Sequence, residues 1–309
     1  MNKTTLHITN GSILTEKLEE LDFKGEFLTW HEMLCEGPTT EQIDTQEFLD
    51  LRKSFFDSTY ELDFDESEFH KEIDKLIHSE KYSEIVLWFE YDLFCHINLI
   101  AVINLLKQKH INAPIYLVCS GRIKHQKELK GLTELSTSQL LKHFNKKILL
   151  TPEDIELATT IWGIYCGKSH NLLKPFIVQS SSFDYLSNCL KAHLERFPDS
   201  INGLCIIEKH ILKTINSNEV KSKYHLLGYI LNYQGFYGYG DLQLERIIDK
   251  LEIFFYEEDH KLHLNKKGKD ALFGSTNYAL ELNNNIDYGG VNRLEFQFDK
   301  AKNKLIKFK

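Results

Sequence analysis

Ile85-Val86-Leu87-Trp88-Phe89-Glu90-Tyr91-Asp92-Leu93-Phe94-Cys95-His96 is the stretch on which the fold turns. Five apolar residues in a row read as a buried strand. Two carboxylates, Glu90 and Asp92, follow at once. An apolar-periodic helix then opens, carrying Leu93, Phe94, Ile97, Ile100, Ala101, Val102 and Leu105. A strand that ends in acids and turns into a helix is where α/β folds place ligand sites. The stretch marks a candidate site without naming a reaction.

Upstream, Thr5–Thr9 reads as a first strand and Asn10-Gly11-Ser12 as a turn, with Ser12 placed to cap a helix over Ile13–Leu21. Glu26–Trp30 is a second strand, and helices are expected within Thr45–Ser58 and Glu66–Ser79. Pro114–Cys119 is a fourth strand. Strands separated by helices predict a small doubly wound parallel sheet in a Rossmann-like α/β domain over residues 1–133. From about Leu135 the pattern turns helical, with Thr137–Phe144, Pro152–Tyr165 and Phe183–Phe197 the clearest pieces of a helical extension over 134–203. Pro152 suits a first-turn position, where its missing N–H costs nothing. Pro198–Gly203 is the best linker candidate. Residues 204–309 read as three helices (Leu204–Ile215, Glu219–Tyr233, Asp241–Leu251) and a hairpin pairing Ile253–Tyr256 with Lys261–Leu264. That is the outline of a winged helix, with extra C-terminal strands at Val291–Phe298 and Lys304–Phe308.

The chain has 309 residues with 42% hydrophobic and 27% charged content, which suits globular domains with a sizeable core. No apolar run approaches the roughly 18 residues of a membrane span, and Met1–Thr5 leads into a strand with no signal-peptide pattern. The six Cys, at 35, 95, 119, 166, 189 and 205, form no C-x-x-C pair. Reduced thiols in the cytoplasm are the expectation, with neither a zinc knuckle nor a disulfide framework. The net charge of -8 is uneven: residues 204–309 hold 16 Lys and Arg against 14 Asp and Glu, which leaves -10 on residues 1–203. An acidic N-terminal part repels nucleic acid unless it carries local positive potential; solubility alone also accounts for the asymmetry.

Several segments resemble a bacterial family known as a domain of unknown function (DUF 1835). They are Leu6-His7-Ile8-Thr9-Asn10-Gly11, Trp30, Glu36-Gly37-Pro38, Trp88–Phe94 and Gly131-Leu132-Thr133-Glu134-Leu135. The stretch up to Phe197-Pro198, Asn202-Gly203-Leu204 and Gly289-Gly290-Val291 are similar to that family's C-terminal half, so the resemblance spans most of the chain. It implies an architecture and candidate positions, and no activity. Ser12 stands where the resemblance implies Asp, His31 where it implies Arg, and His96 where it implies Gln. Chemistry carried by those positions is then altered or lost here, or the ligand differs.

Three polar loops share the strand-end edge. Asn10, Gly11 and Ser12 offer a close backbone approach and a helix N-terminus to an anion, or form a plain capped turn. His31, Glu32 and Glu36 follow the second strand; Glu90, Asp92 and His96 follow the third. Adjacent carboxylates can split their pKa values and act as acid and base, and with His they can hold a divalent metal. Alternatively, Asp92 caps the helix, Glu90 faces solvent and His96 packs. A metal-free pocket for a small polar or phosphorylated ligand is the leading expectation, with Asn10, Gly11 and Ser12 on an anionic group and His31, Glu90, Asp92 and His96 making polar or acid–base contacts. No cofactor is named by any motif, and turnover stays open. Arg52 and Arg122 are anion clamps or surface ion pairs. Cys35 lies beside Glu36, which raises a thiol pKa and argues against a nucleophile.

The second expectation is a regulator or adaptor whose winged-helix-like domain contacts a protein or DNA. Its presumed recognition helix holds Asp241, Glu245 and Asp249 against Arg246 and Lys250, and its wing holds Glu257-Glu258-Asp259. DNA is therefore the weaker partner, despite Lys266, Lys267 and Lys269. The aromatic loop of Phe236, Tyr237 and Tyr239 either contacts a protein or packs on the adjoining domain.

Overall fold

Parallel pairing of four strands places their C-terminal ends along one edge. In the computed structural model, which describes residues 3–123, 128–274 and 276–308, these strands are β1 (Thr4–Asn10), β2 (Glu26–Trp30), β3 (Tyr82–Phe89) and β4 (Ile115–Cys119). A two-residue strand, β5 (Ile148–Leu149), adds antiparallel to β4. The order is β2-β1-β3-β4-β5. Register is set by the pairs Ile8 with Leu28, Ile8 with Leu87, and Leu87 with Leu117.

Helices cover both faces, because side chains alternate along each strand. On one face Val86, Trp88 and Val118 meet Leu14 and Leu18 of α1 (Ser12–Glu20) and Leu140 of α5 (Thr137–Asn145). Trp88 stacks on Phe144 there and donates its Nε1–H to His7 Nδ1 at 3.1 Å. On the other face Leu6, Ile8, Ile85 and Leu87 join a much larger cluster. It takes in α2 (Gln46–Tyr60), α3 (Glu66–Asp74) and α4 (Leu93–Gln108). α4 is buried almost all round, because α6 (Pro152–Cys166) and α7 (Leu186–Glu195) pack on its far side. This explains a helix whose apolar residues are not confined to one stripe.

Local chemistry sets the helix starts. Thr45, Asp65, Asp92, Ser136 and Thr151 each accept a backbone N–H three residues on. Pro152 takes the first turn of α6, as its sequence position predicts. Ser12 does not cap α1: it is the helix's first residue, and Gly11, at φ +93°, is the cap position without a side-chain bond. The helix expected from Phe183 begins only at Leu186, after a turn in which Ser182 donates to Asp154.

The C-terminal part holds α8 (Ile206–Ser217), α9 (Lys223–Asn232) and α10 (Asp241–Lys250), followed by an antiparallel hairpin of Phe255–Glu258 with Lys261–Leu264. Pro198–Gly203, read as a linker, is tied down: Ser200 N–H bonds the Phe298 carbonyl at 3.0 Å, and Asn202 Nδ2 bonds the Ala271 carbonyl at 3.1 Å. The single strand expected over Val291–Phe298 is broken. Val291–Asn292 pairs back on Asp287–Gly289, a turn at Arg293–Glu295 intervenes, and Phe296–Asp299 pairs with Lys304–Lys307. Arg293 causes the break by turning fully inward, where Nη2 bonds Glu208 at 2.7 Å.

The large cluster runs without interruption from Leu6 to Leu305. Gly37-Pro38 pairs in parallel with Tyr288-Gly289, so the loop after β2 and the C-terminal part share a small sheet. Arg246 of α10 reaches back to bond buried Glu36 at 3.0 Å. Arg196, also buried, has no carboxylate partner among the described residues. It donates to His193 Nδ1, stacks over Tyr288 and bonds the Cys35 carbonyl. Since Arg196 can only donate, His193 carries its proton on Nε2 and passes a hydrogen bond to His170 Nδ1 at 2.8 Å. His170 Nε2–H then donates to the Tyr165 carbonyl at 2.8 Å. Both imidazoles are thus held neutral, and burial pushes both pKa values down, that of His170 to about 4.

Candidate functional site

With strand order β2-β1-β3-β4, the crevice of the sheet opens between β1 and β3. Asn10, Glu90, Asp92, Cys95 and Asn98 meet there. Asn10 Nδ2 donates to Cys95 Sγ at 3.2 Å, and its Oδ1 accepts from Asn98 Nδ2 at 2.8 Å. Asn98 also bonds the Glu32 carbonyl and the Leu34 N–H, fastening the loop after β2 to α4. It lies hidden in an apolar helix, and the interruption of the run Ile97–Leu106 by Asn98 and Asn104 was the signal for it.

The crevice is filled by the chain itself. Asp92 is buried and caps α4, accepting from Cys95 N–H at 2.8 Å. The first-turn N–H groups of Leu93 and Phe94 donate to the carbonyls of Phe236 at 2.7 Å and Tyr237 at 3.1 Å. Gly238, at φ +67°, closes over Asp92 so tightly that a methyl group there would overlap the carboxyl. Glu90 is half-buried instead of free in solvent: its Oε1 accepts from Leu132 N–H at 2.6 Å, with Gly131 pressed against it. A Cβ at Gly131 would stand 2.6 Å from both Glu90 oxygens. Burial, aided by the charge of Asp92, lifts the Glu90 pKa to about 7. Burial also raises Asp92 and the Cys95 thiol.

His96 is buried and donates Nδ1–H to the Asp92 carbonyl at 3.0 Å, which leaves Nε2 a lone-pair acceptor with no partner among the described residues. Burial lowers its pKa to about 4 despite the nearby carbonyls of Asp92 and Glu90. Ligand atoms of Glu90, Asp92 and Cys95 come within 4.8 Å of one another, so among the described residues these three are the side chains that could share a cation. All are already engaged with backbone or side-chain partners. Of the expected anion site, only the start of α1 stays open: Ser12 is exposed, and nothing lies within 4 Å of a Cβ added at Gly11.

His31 does not join this group. It lines a separate cavity of about 360 Å³ at the end of β2, between α2 and α3. Thr29, Trp30, His31 and Glu32 form its floor; Phe56, Leu62, Asp63, Phe64, Asp65, Glu68, Phe69, Glu72 and Ile73 form its sides. The aromatic rings run in series: Trp30 to Phe69 at 6.1 Å, Phe69 to Phe64 at 5.9 Å, and Phe64 to Phe56 at 5.8 Å between centroids. Because β2 is the edge strand, the outward N–H of Thr29 has no strand neighbour, and Glu72 Oε2 accepts it at 2.6 Å. Two buried polar atoms of lining residues have no partner among the described residues: Trp30 Nε1 and Glu32 Oε1. Each such orphan costs about 1–3 kcal/mol, which marks this wall as different from ordinary core.

Arg52 is no surface residue. It is fully buried, its Nε bonds Glu32 Oε2 at 2.9 Å, and its other nitrogens bond the carbonyls of Met33, Glu36 and Pro38. The loop after β2 is wrapped around this one guanidinium. Glu36 bonds Tyr60 and Arg246, and burial, with Glu36 beside it, pushes the Cys35 thiol far up, so it is no nucleophile. Arg122 is exposed and lines a smaller cavity of about 180 Å³ with His143, Lys146 and Asp184 at the end of β4. The loop of Phe236, Tyr237 and Tyr239 is turned inward: both tyrosines are buried, and Phe236 packs against Tyr91 and Tyr185.

Among the described residues, no helix is long and apolar enough to cross a membrane. A scan of the chain against protein-family models finds no match, and a search of curated proteins finds none either.

Proposed function

We propose that this chain is a small-molecule-binding protein whose site is the aromatic cavity at the end of β2. The observation that carries this reading is the cavity of about 360 Å³ with the orphaned Trp30 Nε1 and Glu32 Oε1 in its wall. Its size falls in the usual range for ligand pockets, and a mostly apolar lining with few polar groups is the usual composition. A small polar or phosphorylated ligand at Asn10–Ser12, Glu90, Asp92 and His96 has less support: the start of α1 is open to an anion, but Glu90 is held by Leu132 N–H, Asp92 caps α4 and His96 is buried. The sheet is read as a Rossmann-like, doubly wound scaffold, and the chain as a member of the DUF 1835 family. The six free thiols support a cytoplasmic setting. A fragment screen by ligand-observed NMR and thermal shift tests the site. Fragments that bind the wild-type chain and fail to bind a Leu62→Trp variant, which narrows the cavity, support it; no binder of any class sinks it.

The second reading is a regulator or adaptor. Three helices followed by an antiparallel hairpin favour a winged-helix-like unit in the C-terminal part. Of the two bases on α10, Arg246 is held by Glu36, which leaves three acids against Lys250 on the helix that would enter a groove. A protein partner therefore fits better than DNA. A mobility-shift assay at two salt concentrations separates them: no shift even at low salt removes DNA.

A further inference from the structure

The reading of this cavity as a ligand site leaves its occupant open. Resting on that reading, we propose that the occupant is an organic cation, an amine or quaternary ammonium carried on a compact apolar body. Trp30, Phe56, Phe64 and Phe69 present a series of aromatic rings, and ring faces attract cations through their quadrupoles. Among the described residues, every formally charged side chain on the lining is a carboxylate, and no Lys or Arg lines it. Arg52 and Lys75 neutralise Glu32 and Glu72 from behind, outside the cavity. Glu68 shares an exposed pair with Lys71. Asp63 at the mouth has no ion-pair partner among the described residues and leaves the opening negative.

The polar orphans favour the same class. Glu32 Oε1 is a buried acceptor without a donor among the described residues, and its unanswered lone pairs add negative potential to the wall beside a bound ammonium. A phosphate or carboxylate ligand would meet the carboxylates with no Lys or Arg on the lining, among the described residues, to answer its charge. A neutral aromatic would gain the ring contacts and leave Glu32 unanswered.

The test titrates the full chain with benzyltrimethylammonium, benzyl alcohol and phenyl phosphate, using calorimetry and saturation-transfer NMR. The cation is expected to bind roughly tenfold tighter than benzyl alcohol, with affinity falling as salt rises, and phenyl phosphate is expected not to bind. Asp63→Asn, an exposed change that leaves the core intact, weakens the cation roughly twofold to fivefold and leaves benzyl alcohol unchanged. Phe64→Ala weakens both. Equal binding of cation and alcohol, or preference for phenyl phosphate, overturns the cation and leaves the cavity as a site. Binding unaltered by both Asp63→Asn and Phe64→Ala places the probes elsewhere and overturns the proposal. If none of the three probes binds, the reading of the cavity as a site for small aromatic ligands falls with it.

Discussion

Glu90→Gln separates the electrostatic cost of the closed crevice from its packing. The Glu90 carboxyl sits at about 7 instead of 4.5 because burial and the charge of Asp92 penalise its ionised form. The folded chain therefore binds this proton more tightly than the unfolded chain. The resulting stability is fully present below about pH 4.5 and is lost as pH rises through about 7. A shift from 4.5 to about 7 corresponds to about 3 kcal/mol in all, of which about 2.5 kcal/mol falls between about pH 5 and about pH 8. Gln keeps an acceptor for Leu132 N–H and cannot titrate.

The measurement is urea unfolding of wild type and variant at about pH 5 and about pH 8, followed by tryptophan fluorescence. The stability of Glu90→Gln relative to wild type should rise by about 2.5 kcal/mol between the two pH values. Titrating groups that are not coupled to Glu90, His170 among them, act in both proteins and cancel in the difference. Parallel profiles, agreeing within about 0.5 kcal/mol, would refute the assignment of a buried, proton-holding carboxyl at the end of β3.

Gly238→Ala combines a left-handed backbone with overlap on Asp92, so it should lose about 2–4 kcal/mol by urea midpoint. Its control, Gly228→Ala in α9, meets nothing within 4 Å and should gain about 0.5–1 kcal/mol. Glu208→Gln strips a fully buried partner from Arg293 and should cost about 3–5 kcal/mol; adding Arg293→Met should recover part of that, and no recovery would show that the loss is packing alone. His170, at about 4 instead of 6.5, leaves the unfolded chain to take up the proton first, so stability falls as pH drops from about 6.5 to about 4. His170→Gln should flatten that limb of the pH–stability curve, and an unchanged limb counts against the neutral imidazole chain.

The sheet was legible because Ile85–Phe89 and Ile115–Cys119 are short apolar runs, because Thr5–Thr9 and Glu26–Trp30 carry β-branched and aromatic residues beside turn residues, and because Asp92 and Pro152 announce the helices that follow. Asp92 was legible as a cap as well as a site residue, and the cap is what its distances describe. The C-terminal strands were misjudged because Val291–Phe298 alternates like one strand, while the buried pairing of Arg293 with Glu208 breaks it. A long-range ion pair leaves no local pattern to read. The cavity was hidden for a related reason. Its rings come from Trp30, Phe56, Phe64 and Phe69, on one strand, two helices and their connection, and each reads locally as ordinary core. Only His31 and Glu32 of its lining were reached from sequence, through their place after β2.

The crevice between β1 and β3 and the cavity beside β2 differ in the groups they present. Helix N-termini at strand ends offer backbone N–H donors and favour anions. At α4 those donors are answered by the Phe236 and Tyr237 carbonyls, and Gly131 and Gly238 let two segments from outside the sheet lie against Glu90 and Asp92 without side-chain overlap. Any larger residue at either position would force the crevice open, so its closure is built into the chain. One strand further along, no helix starts directly behind β2. The chain instead runs through Glu32–Pro38, folded around Arg52, before α2 begins. The space left above the end of β2 is bounded by side chains in place of backbone donors, and those side chains are rings and carboxylates. The edge that α/β sheets offer to anions keeps one helix start open here, at α1, while the cavity beside β2 presents rings and carboxylates, which suit positive charge.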